Sequence, residues 1–476
     1  MFEKQIDEST EVSISPSVSY SSCFSKIVTA CWPTFFYWIL TYITYPFYSE
    51  LLSDTPTLLF AYQFSFLWIE SFIKIMTHSM NNGFCVLASQ AAGANELRLI
   101  GYYLHKAVLV CFSTSFFAFV VAVSASLFFL RALRYNSEIT VCMLQYMVYS
   151  LGAILLNGLF GLARSFVIAR KNFCIPLPCQ TIGTIIEIGL SLYFVKEMDL
   201  GLLGIGISKT IAEAIRLLVI AAYVKQSKTF EESVFFFTKD SLEGFWTQYW
   251  SQMKNAASIL AESVFIQCVF VLTTETNYDD RESSLEFFQI LVFPQFLIVS
   301  LGEALGVHVA NAIGEKLEDK ARLFIRAGTL VSLITIAIVE LLIFALRNAI
   351  PNALGGGAEV VQTVKMLMLA YCACFPFDLF HKTLGFVGRA VGKEVSVFVR
   401  LMLCTVIGGL MVGSLYYMHD ESIYWVWVGV TITYAVATVA LGRIISRTDF
   451  AAQVEMIIEK LTQNGKEHVS VELSKI

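Results

Sequence analysis

The sequence predicts an all-α polytopic membrane protein, with twelve transmembrane helices in two pseudo-symmetric six-helix bundles around a central cavity. Three observations predict it. The 476 residues are 56% hydrophobic and only 15% charged, with a mean hydropathy of +0.66, whereas soluble domains carry about 25% charged residues. Apolar runs of roughly 20 residues, enough to cross a bilayer, recur along nearly the whole chain. They are continuous, unlike the short alternating segments of a β-barrel. Finally, a motif of the first half returns in the second.

The apolar runs fall near 27–48, 57–88, 99–130, 139–163, 173–195 and 202–224, then 250–274, 285–312, 321–346, 360–388, 394–417 and 422–445. The implied organisation is a polar N-terminal tail at 1–25, a first bundle at 26–224, a connector at 225–249, a second bundle at 250–446 and a tail at 447–476. Lys and Arg concentrate in alternate loops, as at Arg170 and Lys171 or Arg389 and Lys393. By the positive-inside rule both termini are expected in the cytoplasm. Arg131 and Arg134 lie on the opposite side and weaken that bias. The first span reads as an uncleaved insertion signal. In the tail, FAAQVEMIIEKLTQ has helical apolar spacing and reads as a surface helix. A net charge of −5 with no basic cluster argues against nucleic acid. The 11 cysteines are scattered without a CxxC pair, so packing is their expected role and no metal or cofactor is implied.

The repeat lies in SQAAGAN, ending a span at 89–95, and ANAIGEK, ending another at 310–316. At an offset of 221 residues Gly93 falls on Gly314, Gln90 on Asn311, Ala91 on Ala312 and His105 on Arg326. Six spans separate the copies, so both halves share one orientation and are related by an axis along the membrane normal. Two such bundles rocking about a shared cavity would expose it to each side in turn. Gly93 and Gly314 suit a tight turn and close helix contact there. Pro33 and Pro376 are expected to bend their spans, and Pro376 stands two residues before an acid.

SQAAGANELRLIGYYLHKA and VANAIGEKLEDKARL resemble the paired signatures of the multidrug and toxic compound extrusion (MATE) family. DLFHKTLGFVGRAVGKE at 378–394 resembles its helix-ten segment, and LAESVFIQ at 260–267 its eukaryotic helix seven. The weaker GLLGIGISKTIAE at 201–213 resembles the start of helix six, and the likeness spans roughly residues 26–446. It implies a secondary transporter exporting organic cations, xenobiotics or amphipathic metabolites in exchange for protons, by alternating access. Cys85 stands where the family's first signature carries an acid, which puts a first-half proton site in doubt. The second signature's Gly-Ala-Gly turn reads Gly314-Glu315-Lys316.

An ionisable side chain inside the membrane costs at least about 2.5–3.5 kcal/mol on insertion scales, so each needs a reason. Glu262 in span seven and Asp378 in span ten are the candidate coupling and substrate-binding carboxylates, at positions the resemblance marks as acidic. Facing one cavity, they would attract an organic cation and let a proton compete for the same charge. The plainer alternative is a carboxylic acid tied to a neighbouring helix. Lys382, one turn from Asp378, would silence a proton role by pairing with it, and His381 stands beside it. Candidate cavity-lining residues are Gln267, Gln289, Glu187, Tyr37 and Tyr42. Gln267 is turned by about 140° from Glu262 around an ideal helix, and Glu187 lacks a local partner. Glu70 with Lys74, and Lys209 with Glu213 and Arg216, have spacings that allow pairing within one helix.

Sodium coupling is the near alternative, and a lipid or lipid-linked sugar flippase of the wider superfamily the further one. A flippase would want a base-lined cavity, and the expected lining here is acidic. A membrane enzyme would require a reactive constellation that the six dispersed histidines do not form. A transport-dead scaffold is the remaining class. The chain is expected to act as a monomer in the plasma membrane or a vacuolar or other internal membrane.

Overall fold

A computed structural model describes the backbone of residues 19–132, 137–274, 278–354, 357–419 and 422–473. The described residues are helical almost throughout. The first half contains α1 (Tyr20–Tyr42), α2 (Thr44–Leu51), α3 (Pro56–Phe64), α4 (Ser71–Gly93), α5 (Leu97–Ala132), α6 (Ser137–Ala169), α7 (Pro176–Leu192) and α8 (Gly201–Gln226). After a loop with short 3-10 turns come α9 (Phe245–Thr274), α10 (Tyr278–Gly314), α11 (Glu318–Leu346), α12 (Ala349–Leu354), α13 (Ala358–Ala390), α14 (Glu394–Met418), α15 (Ile423–Ser446) and α16 (Phe450–Leu473). A widened π-helical turn over Ser65–Glu70 joins α3 to α4 as one membrane span.

Nine helices or helix pairs among the described residues are long and apolar enough to cross a membrane by themselves. The second, sixth and seventh spans complete the twelve. Their α4, α8 and α9 are more polar and carry charges along their length: Lys74, then buried Lys209, Glu213 and Arg216, then exposed Lys254 and half-buried Glu262. Pro33 lies inside an unbroken α1. The first span is interrupted at Ile43 instead, three residues before Pro46, whose ring nitrogen cannot donate back into the helix.

The duplication is visible in backbone detail. Outside glycine, positive φ occurs at Asn95 (60°) and Lys316 (62°), which are 221 positions apart. Lys171 (64°) and Gly392 (77°) are another such pair. Both loops therefore turn alike, even where Lys must adopt a conformation that glycine or asparagine adopts more readily.

The lobes meet where the two signatures end. A Cβ on Gly93 would lie 2.1 Å from the carbonyl oxygen of Asn311, and one on Gly314 would lie 2.1 Å from that of Gln90. Gln90 Nε2 donates to the Ala390 carbonyl at 3.0 Å, and Asn311 Nδ2 to the Ala169 carbonyl at 3.1 Å. The same offset converts one hydrogen bond into the other. Glu315 crosses the same boundary to Lys171 at 2.9 Å and also meets Lys320 on α11. Helix α16 spans this end: Arg322 lies 4.5 Å over the Phe450 ring, and Asn464 donates to the Tyr103 hydroxyl at 2.9 Å. This glycine end is shut.

Candidate functional site in the central cavity

Above the shut end a cavity of about 600 Å³ opens between the lobes. Its first-half wall is aromatic, with Tyr37, Trp38, Tyr42 and Tyr45 contributed by α1 and α2. Tyr37 and Tyr42 therefore line it as the sequence suggests, although Tyr37 already has Arg164 stacked 4.4 Å over its ring.

Glu262 and Asp378 both line the cavity and belong to one cluster built by four helices of the second half. Asp378 on α13 is 1% exposed. Its Oδ2 accepts from Gln295 Nε2 on α10 at 2.5 Å and from the Tyr371 hydroxyl at 3.1 Å. Lys382, one turn on, places Nζ 2.8 Å from Asp378 Oδ1 and 3.2 Å from Glu262 Oε1 on α9. The same ammonium donates to Gln295 Oε1. The ion pair that would silence Asp378 is present, and it is shared by both carboxylates.

His381 completes the cluster, with its ring 4.4 Å from that of Tyr434 on α15. Nδ1 lies 2.9 Å from the Phe377 carbonyl, which can only accept, so Nδ1 carries a hydrogen. Nε2 then faces Glu262 Oε1 at 3.2 Å. A proton placed on Nε2 would lie between imidazole and carboxylate. With neutral imidazole, two carboxylates and one ammonium leave a net charge of minus one. Glu262, Asp378 and His381 also bring possible ligand atoms within 4.8 Å of one another. Lys382 Nζ stands beside two of these three groups, within 3.2 Å of Glu262 and Asp378.

Gln267 lines the cavity despite its angular offset from Glu262. Pro376 lies within α13 and Gly93 and Gly314 at the lobe contact, none of them on the cavity wall. The side chain of Gln289 lies outside the described residues. Glu187 does not line the cavity: it is 3% exposed, receives the Tyr48 hydroxyl at 2.8 Å and pairs with Arg216 at 2.6 Å. Its partner comes from α8, which local spacing cannot reveal. Arg216 also holds Glu213 at 2.7 Å, and Gly183 leaves it room, since a Cβ there would meet its side chain at 2.3 Å. Lys74 pairs with Glu70 at 2.7 Å, and Lys209 reaches Glu70 from another helix at 3.0 Å instead of joining Glu213. Three carboxylates and three cations balance within the first lobe.

Sequence reasoning missed Arg164. It grips Glu303 across the lobe boundary through both guanidinium nitrogens, at 3.1 and 2.5 Å, with both side chains buried. The available signal was an arginine inside the apolar run of span four. The acidic lining also needs correction. Lys74, Arg164, Lys382 and Arg389 face the cavity against Glu262 and Asp378. Glu70, Glu187 and Glu213 are turned into the first lobe, where cations already hold them.

Two like-oriented six-helix bundles, shut at one end over a cavity with a buried acid–base cluster, define a multi-pass membrane transporter rather than an enzyme. The MatE family model matches residues 33–192 and 285–413, more than half of the chain, and the chain belongs to that family of multidrug and toxin extrusion transporters. Protein DETOXIFICATION 3 of Arabidopsis thaliana is 21% identical over 79% of this chain and 80% of its own length. Multidrug and toxin extrusion protein 1 of Danio rerio is 19% identical over 72% of this chain and 58% of its own. The crystal structure of the eukaryotic MATE transporter AtDTX14 superposes with a TM-score of 0.84 at 17% identity, covering 93% of this chain and 99% of that one.

Proposed function

We propose that the protein exports organic cations or amphipathic metabolites in exchange for protons. The coupling site is the Glu262–Asp378–Lys382–His381 cluster, and the observation that carries the reading is its single spare negative charge. One monovalent cation neutralises it, and so does one proton shared by His381 and Glu262, so the two exclude each other electrostatically. Lys382 supports this economy: without it two carboxylates would need two counter-charges in a site of low dielectric. The aromatic wall favours a flat organic cation through its ring faces. With the glycine end as the cytoplasmic one, the shut end belongs to an outward-facing state. Changing sides would break the Arg164–Glu303 bridge and part Gly93 from Gly314.

The test is accumulation of ethidium in proteoliposomes under an imposed pH gradient. Wild type should accumulate it, and Glu262→Gln, whose cluster has no spare charge, should not. Equal accumulation by both would sink the coupling assignment. Sodium coupling is the second reading, favoured by the three convergent ligand groups. It predicts accumulation that follows a sodium gradient at constant pH.

A further inference from the structure

Three of the four cations along the cavity already have carboxylates. Lys74 holds Glu70, Arg164 holds Glu303, and Lys382 bridges Glu262 and Asp378. Arg389 does not: no carboxylate among the described residues comes within ion-pair distance of it. It is 3% exposed and lines the cavity. NH1 donates to Ser258 Oγ at 3.1 Å, the guanidinium carbon lies 4.5 Å over the Phe386 ring, and buried Nε has no partner. A guanidinium presents five N–H donors in a planar fork suited to carboxylate and phosphate. Burying it with most of them unused is costly. Its place in the last turn of α13 lets the helix dipole offset part of the charge, but a dipole fills none of the donors.

The arrangement along α13 adds a distance. Asp378, Lys382, Gly385 and Arg389 all line the cavity, spaced by four, three and four residues, and so form one face. Lys382 and Arg389 are two turns apart, roughly 10 Å along the axis. Gly385 has no side chain to stand before the fork, and a Cβ there would lie 3.4 Å from Arg389 NH1. One helix face therefore offers a cation site at one level and an unfilled anion site two turns away.

We propose that Arg389 is an anion subsite, and that the preferred solute is a dipolar amphipath with its amine at Glu262 and Asp378 and its carboxylate on Arg389. The cationic end rests on the exporter reading above; the anionic end does not. It is tested by isothermal titration of the purified full-length protein with para-aminomethylbenzoate and para-aminobutylbenzoate, each beside its methyl ester. The pairs share a frame and differ in the carboxylate. In wild type at least one acid should bind about ten-fold tighter than its ester, the lower range for a charge-assisted contact. Arg389→Gln should abolish that preference while still binding ester, which also shows that it is folded. Arg389→Lys should keep part of the preference. Esters binding as well as acids in wild type, no binding of either acid, or an acid preference that survives Arg389→Gln would each overturn the subsite. Ester binding that is indifferent to Glu262→Gln would instead count against the exporter reading and leave the subsite result standing.

Discussion

Replacing Lys382 by Met would leave Glu262 and Asp378 without the ammonium that now lies within 3.2 Å of both. The cluster would carry two spare charges when neither acid is protonated. Organic cations should then bind at least about ten-fold tighter near neutral pH, the scale of one charge-assisted contact. Cation titrations of both proteins at one pH check it. Unchanged affinity would mean that Lys382 does not face the substrate. Glu262 and Asp378 were legible because a carboxylate inside an apolar run is costly and conspicuous. The Lys382 pair was legible because four residues make one helical turn. Gln295 and Arg164 were not, since their partners stand 83 and 139 residues away. Glu187 was misassigned to the cavity for the same reason, as Arg216 reaches it from another helix.

Among the elements, α6 and α10 meet through the buried Arg164–Glu303 bridge. Arg164→Met would strand Glu303 in a buried setting, an error costing about 3–5 kcal/mol. Thermal unfolding in detergent should fall sharply, and Arg164→Met combined with Glu303→Gln should recover most of the loss. Equal destabilisation by single and double variants would show that the bridge is not the operative contact. His78, 3.7 Å from Glu303, is the neighbour able to soften the effect. Helix α16 is the other cross-lobe element. Truncation before Phe450 removes the Asn464–Tyr103 bond and the Arg322–Phe450 contact, and amide exchange in the first turns of α5 and α11 should quicken. Its helical spacing was readable from the tail, whereas its span across both lobes depends on long-range contacts that periodicity does not carry.

For the whole molecule, the twelve spans, the duplication and the shared cavity could be foreseen because bilayer thickness and a repeated motif constrain them strongly. The polarity of the lining could not, because it depends on which face of each helix turns inward. The lobe contact also has a pH signature. Burial pushes the Glu315 carboxyl up, but hydrogen bonds from Lys320 and Lys171 outweigh it and hold the group below its usual range. A depressed carboxyl contributes stability above its unfolded value and loses it as pH falls through the folded one. The Lys171–Glu315 contact should therefore be insensitive to pH between roughly 6 and 8, well above an ordinary Glu near 4.3. High salt should weaken it, since it is partly exposed. Exchange protection at residues 93–97 should follow salt and not pH in that window, and Glu315→Gln should remove the salt effect.

The reciprocal contact at Gly93 and Gly314 has the grammar of an isologous dimer: one patch meets its own copy, and the glycine and amide contacts occur twice. Shutting this end is then the association of two tethered subunits. Each glycine secures half of the seam, so Gly93→Ala or Gly314→Ala should cost one overpacking penalty, roughly 1–3 kcal/mol, and the double variant about twice that. The tether between α8 and α9 sets the effective concentration of one half for the other. Doubling its length would weaken closure by only about 0.6 kcal/mol, so the seam, far more than the link, governs how long the gate stays shut.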